Sequence, residues 1–340
     1  MPAMYPDQMP RCSRRLVLVI SAVLALLPAL LMSPVVQAQA WPAKPVTMVV
    51  PFPPGGGPDL FARILGEKFS TRMGQTLIVD NRPGVGGLAG ANAVAKSAPD
   101  GYTFLIAPNT IAISPHVLTK GAGGGVDVMA DLVPVIMPAA TPMILVVSPT
   151  LGVKSVAELV ALAKSKPGLA YATAGNGSPM HIAGELFRKA AGVDMQHVPF
   201  KGVAPSVTAV LGDQVQVLFV AMGGGIAQHL RSGKLIVLAV TEKRRTPLLP
   251  NVPTMAELGY PGVVTDAWYG IFAPTGTPAA VIARMNQEVN AVLAMPDVRE
   301  RMIAGGMDAR GGTAEAFGAE MREDHARYGR IVREFGIKAD

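Results

Sequence analysis

Strand, glycine-rich turn and amphipathic helix follow one another repeatedly along this chain, and that alternation restricts the fold more than any other feature. Residues 46–51 are β-branched and apolar and read as a buried strand. Gly55-Gly56-Gly57 turns the chain, and Leu60, Ile64, Leu65 and Phe69 then recur at helical spacing. The pattern predicts further strands over 76–79, 103–107, 143–148, 170–173, 215–219 and 236–241. Helices are expected over 86–98, 156–164, 181–190, 226–232, from Thr277-Pro278 to about 293, and over 314–333. Alternation at this spacing means an α/β protein whose sheets are rich in parallel pairs and covered by helices.

The first forty residues have a different character. Arg11, Arg14 and Arg15 precede an almost unbroken apolar run over 16–31, and small residues follow at 36–40. That order reads as a secretory signal peptide, cleaved near Ala38 or Ala40. The run is shorter than the ~20 residues that a bilayer-spanning helix needs. The single cysteine, Cys12, would leave with the signal, so the mature chain has no disulfide and no cysteine metal site. A mature chain of this length is large enough to stand on its hydrophobic core alone.

Charge narrows the partners. Without residues 1–40 the chain keeps 27 Lys and Arg against 23 Asp and Glu, and the positive residues are dispersed. Aromatics make up 5% of the chain and do not alternate with a basic stripe, which argues against nucleic acid. A mild positive balance suits a small anion. Later apolar stretches are interrupted, as at Pro134, Pro138 and Pro142, so the mature protein is expected to be soluble in an extracytoplasmic compartment.

The densest motif is Pro53-Pro54-Gly55-Gly56-Gly57-Pro58-Asp59, set between a buried strand and a helix. Glycines let a ligand approach the backbone, and a helix start offers unpaired N–H groups to an anion. Asp59 would orient the loop or favour the helix start, and a plain strand-to-helix turn is the competing reading. Gly175-Asn176-Gly177-Ser178 before Pro179-Met180-His181 repeats the arrangement, with Ser178 as a hydroxyl donor or a helix cap. Asn109-Thr110 follows a third strand end. Lys201 is a further candidate contact, and Trp268-Tyr269 would wall a pocket or fill the core.

Enzyme signatures are weak. Gly84-Val85-Gly86-Gly87-Leu88-Ala89 fits a dinucleotide pattern, but Pro83 interrupts its approach, and a tight turn is the better reading. His181 and Glu185 are four apart, yet no H-E-x-x-H is present. No G-x-S-x-G nucleophile turn occurs. No catalytic residue, cofactor or metal is expected.

Several segments, taken in order, carry a family resemblance. They are the loop ending at Asp59, Asn81-Arg82-Pro83-Gly84-Val85-Gly86-Gly87, Ala98-Pro99-Asp100-Gly101-Tyr102, Tyr171 through His181, His197-Val198-Pro199-Phe200-Lys201-Gly202, Leu249-Pro250-Asn251-Val252-Pro253-Thr254, and Trp268 through Pro274. With them the chain resembles the Bug-type periplasmic solute receptors of tripartite tricarboxylate transporters, over essentially all of its mature length. The resemblance implies a two-lobed periplasmic-binding-protein fold, type II-like. Residues 41–142 and 264–340 would form one lobe and 143–263 the other, hinged near 143 and 263. It implies a small organic carboxylate held in the cleft by backbone amides and hydroxyls at Gly56, Gly57, Pro58, Asp59, Asn109, Thr110, Gly177, Ser178 and His181, with Lys201 and Trp268 as outer candidates. Partners would be inner-membrane transporter subunits, and the receptor would act as a monomer in the periplasm. Val220-Ala221 stands where relatives often carry an acid, which points to a less polar pocket. A secreted hydrolase or lyase on a similar α/β frame is the alternative.

Overall fold

The computed structural model describes residues 41–119 and 121–338. The expected export signal, its cleavage sites and Cys12 lie outside the described residues. No helix among those described is long and apolar enough to cross a membrane.

Two sheets organise the chain. The first runs in the order β11-β4-β10-β3-β1-β2. Its strands are β1 (Val46–Val50), β2 (Leu77–Asn81), β3 (Thr103–Pro108), β4 (Leu132–Thr141), β10 (Ala267–Pro274) and β11 (Asp308–Ala309). The second runs β7-β6-β8-β5-β9. Its strands are β5 (Met143–Val147), β6 (Leu169–Thr173), β7 (Met195–Pro199), β8 (Val217–Ala221) and β9 (Ile236–Val240). Parallel ladders between strands join β1 with β2 and β3, and β6 with β7 and β8. The remaining strands pair antiparallel, because β4, β5, β9 and β10 carry the chain between the sheets.

The helices are α1 (Gly57–Met73), α2 (Leu88–Ala95), α3 (Thr110–Val117), α4 (Val156–Ser165), α5 (Pro179–Ala191), α6 (Val203–Leu211), α7 (Gly224–Arg231), α8 (Ala279–Leu293), α9 (Pro296–Ala304) and α10 (Ala314–Phe335). Every strand and helix expected from the sequence has its counterpart within a few residues. The sequence pattern did not reveal β4, which holds Pro134 and Pro138. A proline gives no ladder donor but still accepts: β11 pairs with Ala139 and Ala140, and the Pro138 carbonyl accepts from the Arg310 amide at 3.0 Å.

The chain passes from one sheet to the other through Pro142 and returns between β9 and β10. The two passages are bonded together. The Thr241 amide donates to the Met143 carbonyl at 2.9 Å, and the Thr241 hydroxyl donates to the Thr265 carbonyl at 2.7 Å. The halves also share a core, since Ile182 of α5 packs with Ile111, Trp268 and Tyr328 of the first half. Helix α10 closes that core with Phe317, Met321, Asp324, Tyr328 and Ile331, a three-four spacing that places them on one face.

Candidate functional site

In an open α/β sheet, ligands bind beyond the carboxyl ends of strands, where the chain leaves in opposite directions from neighbouring strands. In the first sheet that place lies between β1 and β3, because β1 leads outward to β2 while β3 lies on its other side. In the second it lies between β6 and β8, for the same reason. Four junctions therefore flank the two switch points: residues 51–56, Asn109, residues 174–178, and Met222-Gly223.

These junctions are brought together by close contacts at glycines. A Cβ on Gly305 would lie 2.6 Å from the Leu60 side chain in the first turn of α1. A Cβ on the adjacent Gly306 would lie 2.7 Å from the Met222 carbonyl oxygen and 3.0 Å from the Gly223 Cα. One glycine turn thus touches the β1 junction of the first sheet and the β8 junction of the second. At the other side, a Cβ on Gly177 would lie 2.8 Å from Val117, at the end of α3. The Met222 amide is tied to the Pro142 carbonyl at 2.7 Å, so this junction sits directly on the crossing between the sheets.

The first-sheet loop is organised by Asp59. Its buried carboxylate accepts from the Gly55 amide, from Arg63 and from Asn81, each at 3.0 Å, and Asn81 also donates to the Phe52 carbonyl. Burial works against ionisation, but the hydrogen bonds from Arg63, Gly55 and Asn81 outweigh it and hold Asp59 below the usual carboxylate range. Gly57 is packed against the Tyr269 hydroxyl, which in turn accepts from the Thr141 hydroxyl at 3.0 Å. Pro58 is buried at the helix start, while Gly56 is exposed and Gly57 half-buried.

The second-sheet loop is already internally bonded. The Ser178 hydroxyl caps α5 by accepting from the His181 amide at 3.2 Å and donates to the Gly175 carbonyl at 2.7 Å. The Ser178 amide reaches the Gly175 carbonyl, and the Gly177 amide donates to His181 Nδ1 at 3.2 Å. The hydroxyl and amides that the sequence offered to a ligand are thus spent on holding the loop. His181 is buried beneath it, its ring stacked on His197 at 3.7 Å between centroids and 14° between planes.

Other expected residues direct their side chains elsewhere. Asn109 turns its amide group into the core, donating to the Asp266 carbonyl at 2.7 Å and to the Tyr328 hydroxyl. Thr110 stands beside it as the first residue of α3. Lys201 is exposed in the turn before α6. Trp268 is fully buried, donates to Asp324 at 2.7 Å and meets the edge of Phe317. It is a core residue, and strand alternation sends its neighbour Tyr269 to the Gly57 side instead. Sequence reasoning overlooked Met222-Gly223, Tyr269 as the residue beneath Gly57, and His197. The first had a visible signal, a glycine run 223–225 between a buried strand and a helix.

Glu185 is taken by the Tyr171 hydroxyl at 2.6 Å and by Arg188, and no group of three metal-ligating side chains converges among the described residues.

Comparison with known proteins agrees with this architecture. Residues 61–337 match the family model described as tripartite tricarboxylate transporter family receptor. Protein BugT of Bordetella pertussis is 38% identical over 310 residues, covering 89% of this chain and 93% of that protein. Among solved structures, R. palustris Rpa4515 with adipate superposes with a TM-score of 0.78 at 34% identity, covering 88% of this chain and 99% of that one. The periplasmic binding protein BugD gives 0.75 at 31%, covering 88% and 100%. MatC from Rhodopseudomonas palustris with bound malate gives 0.74 at 30%, covering 86% and 100%. These are solute-binding proteins with two lobes, not enzymes. The family match takes in strands of both sheets and the junctions at Asn109, residues 174–178 and Met222-Gly223, and the chain belongs to the receptor family of the tripartite tricarboxylate transporters, whose members are periplasmic.

Proposed function

We propose that this receptor captures a small organic carboxylate between a lobe of residues 41–142 with 264–340 and a lobe of residues 143–263, and hands it as a monomer to inner-membrane transporter subunits. The observation that carries this reading is the Gly305-Gly306 turn, which touches Leu60 on one side and Met222-Gly223 on the other. Strand-end junctions of both sheets therefore face a common space. Helix starts there favour an anion without any arginine. Gly56 and Gly57 supply the direct amide contacts. Asp59, Asn109, Ser178 and His181 act by fixing the shape of the loops, since their polar groups are bonded within the protein. The bodies of Phe52, Val117 and Met222 border the junctions, which suits a ligand with an alkyl or aromatic part. Adipate and malate in the structural neighbours are carboxylates of the expected size.

Lobe closure would be driven by greater affinity of the ligand for the closed state. A thermal-shift screen of organic acids, with adipate and malate included, tests the proposal. A ligand that binds only the native state raises the melting temperature. At least one acid should do so in the mature protein, and Gly57→Ala should abolish the rise. Failure of every acid, or turnover of one that binds, would overturn the reading.

A further inference from the structure

The loop at 174–178 is held from both ends by imidazoles. At one end the Gly177 N–H donates to His181 Nδ1, so that nitrogen carries no proton. At the other, the Thr173 hydroxyl accepts the Gly175 amide and lies 2.6 Å from His197 Nε2. Between these contacts the two rings stack face to face, which couples the ends of the loop through one buried pair. We propose that His181 and His197 form an acid-labile brace for the Gly175–Ser178 loop, so that the receptor grips its carboxylate while both rings are neutral and loosens when its compartment acidifies. The inference rests on the reading of that loop as part of the ligand site. His181 and His197 are positioning residues, acting on the ligand through the loop.

The chemistry is direct. A proton on His181 Nδ1 replaces an acceptor with a donor, facing an N–H that can only donate, so the Gly177 bond must break. A second proton on His197 would put two positive rings in stacking contact. The surrounding groups divide in sign. On α5, Glu185 stands 3.8 Å from His181 Nε2 and favours the charged ring, while Arg188 opposes it. On β6, the Tyr171 ring lies tilted against His197 at 5.1 Å between centroids, and its hydroxyl donates a hydrogen bond to Glu185. Asp194, in the turn before β7, acts on Arg188. Burial is the largest influence and keeps His181 below the ordinary imidazole range. His197 is pulled down to about 4, by burial first and then by His181, against Glu185.

The test needs no ligand for its first arm. In the isotope-labelled mature protein, the Gly177 amide resonance should move together with the His181 ring signals on acidification. In His181→Asn, whose Oδ1 keeps the acceptor but cannot titrate there, the Gly177 amide should stay still over the same range. His197→Gln should leave the His181 transition in place, because His197 is still neutral where His181 takes up its proton. A Gly177 amide that ignores the His181 titration, or one that still moves in His181→Asn, would overturn the proposal. The second arm uses adipate as probe. Between about pH 7.5 and about pH 5 the affinity of the wild type should fall roughly tenfold more than that of His181→Asn, adipate's own protonation being common to both. Equal losses would refute the coupling to ligand. No adipate binding at any pH would count against the proposed ligand chemistry, with the first arm still deciding the brace.

Discussion

The hydroxyl of Tyr269 fills the space where a side chain on Gly57 would begin. A residue on β10 therefore dictates that the turn into α1 must be bare backbone. The same hydroxyl is held by Thr141 at the last position of β4, so the floor of the site is fixed from the strand that leads into the crossing. Gly57→Ala should weaken carboxylate binding at least tenfold, measured by titration calorimetry. Adding Tyr269→Ala should restore part of the loss, since it removes the oxygen together with the ring carbons at 2.5 and 2.7 Å that would also meet the new Cβ. No rescue in the double variant would show that the collision is not the cause.

Ser178 should matter for stability and for affinity through one structure. It is the N-cap of α5 and the clasp of its loop. Ser178→Ala should lower unfolding free energy by about 1 kcal/mol in urea. It should also weaken binding several-fold as the Gly175–Ser178 turn relaxes. An unchanged affinity beside a lowered stability would separate the cap from the site.

Trp268 should behave in the opposite way. Its indole N–H is bonded to Asp324 inside the core. Trp268→Phe should cost about 1–3 kcal/mol, because the buried carboxylate loses a donor, yet leave ligand affinity near that of the wild type. A large loss of affinity with little loss of stability would return Trp268 to the pocket wall.

Gly306 joins the two halves at a left-handed backbone position, φ +76°, with no room for a Cβ against Met222 and Gly223. Gly306→Ala should push the β8 junction away from the first half. Small-angle scattering should then register a larger radius of gyration, and binding should fall at least tenfold. An unchanged radius with unchanged affinity would mean that this contact does not set the spacing of the halves.

Stability should also respond to pH through the histidine pair. Both rings ionise less readily folded than unfolded, mainly from burial. Unfolded histidine takes up its proton near pH 6.5, so acid favours the unfolded chain. The contribution is full above that value and is lost as pH falls from about 6.5 toward about 4. Denaturant titrations across this window should show a decline that is smaller in His197→Gln. An identical decline in both would assign the acid sensitivity to other groups.

Much of this molecule could be read from its chain. The expected strands and helices are present because their apolar periodicity is local and the sheets bury it. The glycine turns at 55–57 and 175–178 were legible because a bare backbone before an amphipathic helix is itself the signal. Met222-Gly223 carried the same signature and was passed over for the residues just before it. Direction of side chains was another matter. The sequence determined that Asp59, Asn109, Ser178, His181 and Trp268 stand near strand ends; tertiary structure alone decided that their polar atoms turn inward to brace loops and core. A polar group removed from water must find a partner, and the partners here lie from a few to more than two hundred residues away in the chain. No local pattern encodes that distance, whereas hydrophobic spacing and helix starts are written within a few consecutive residues.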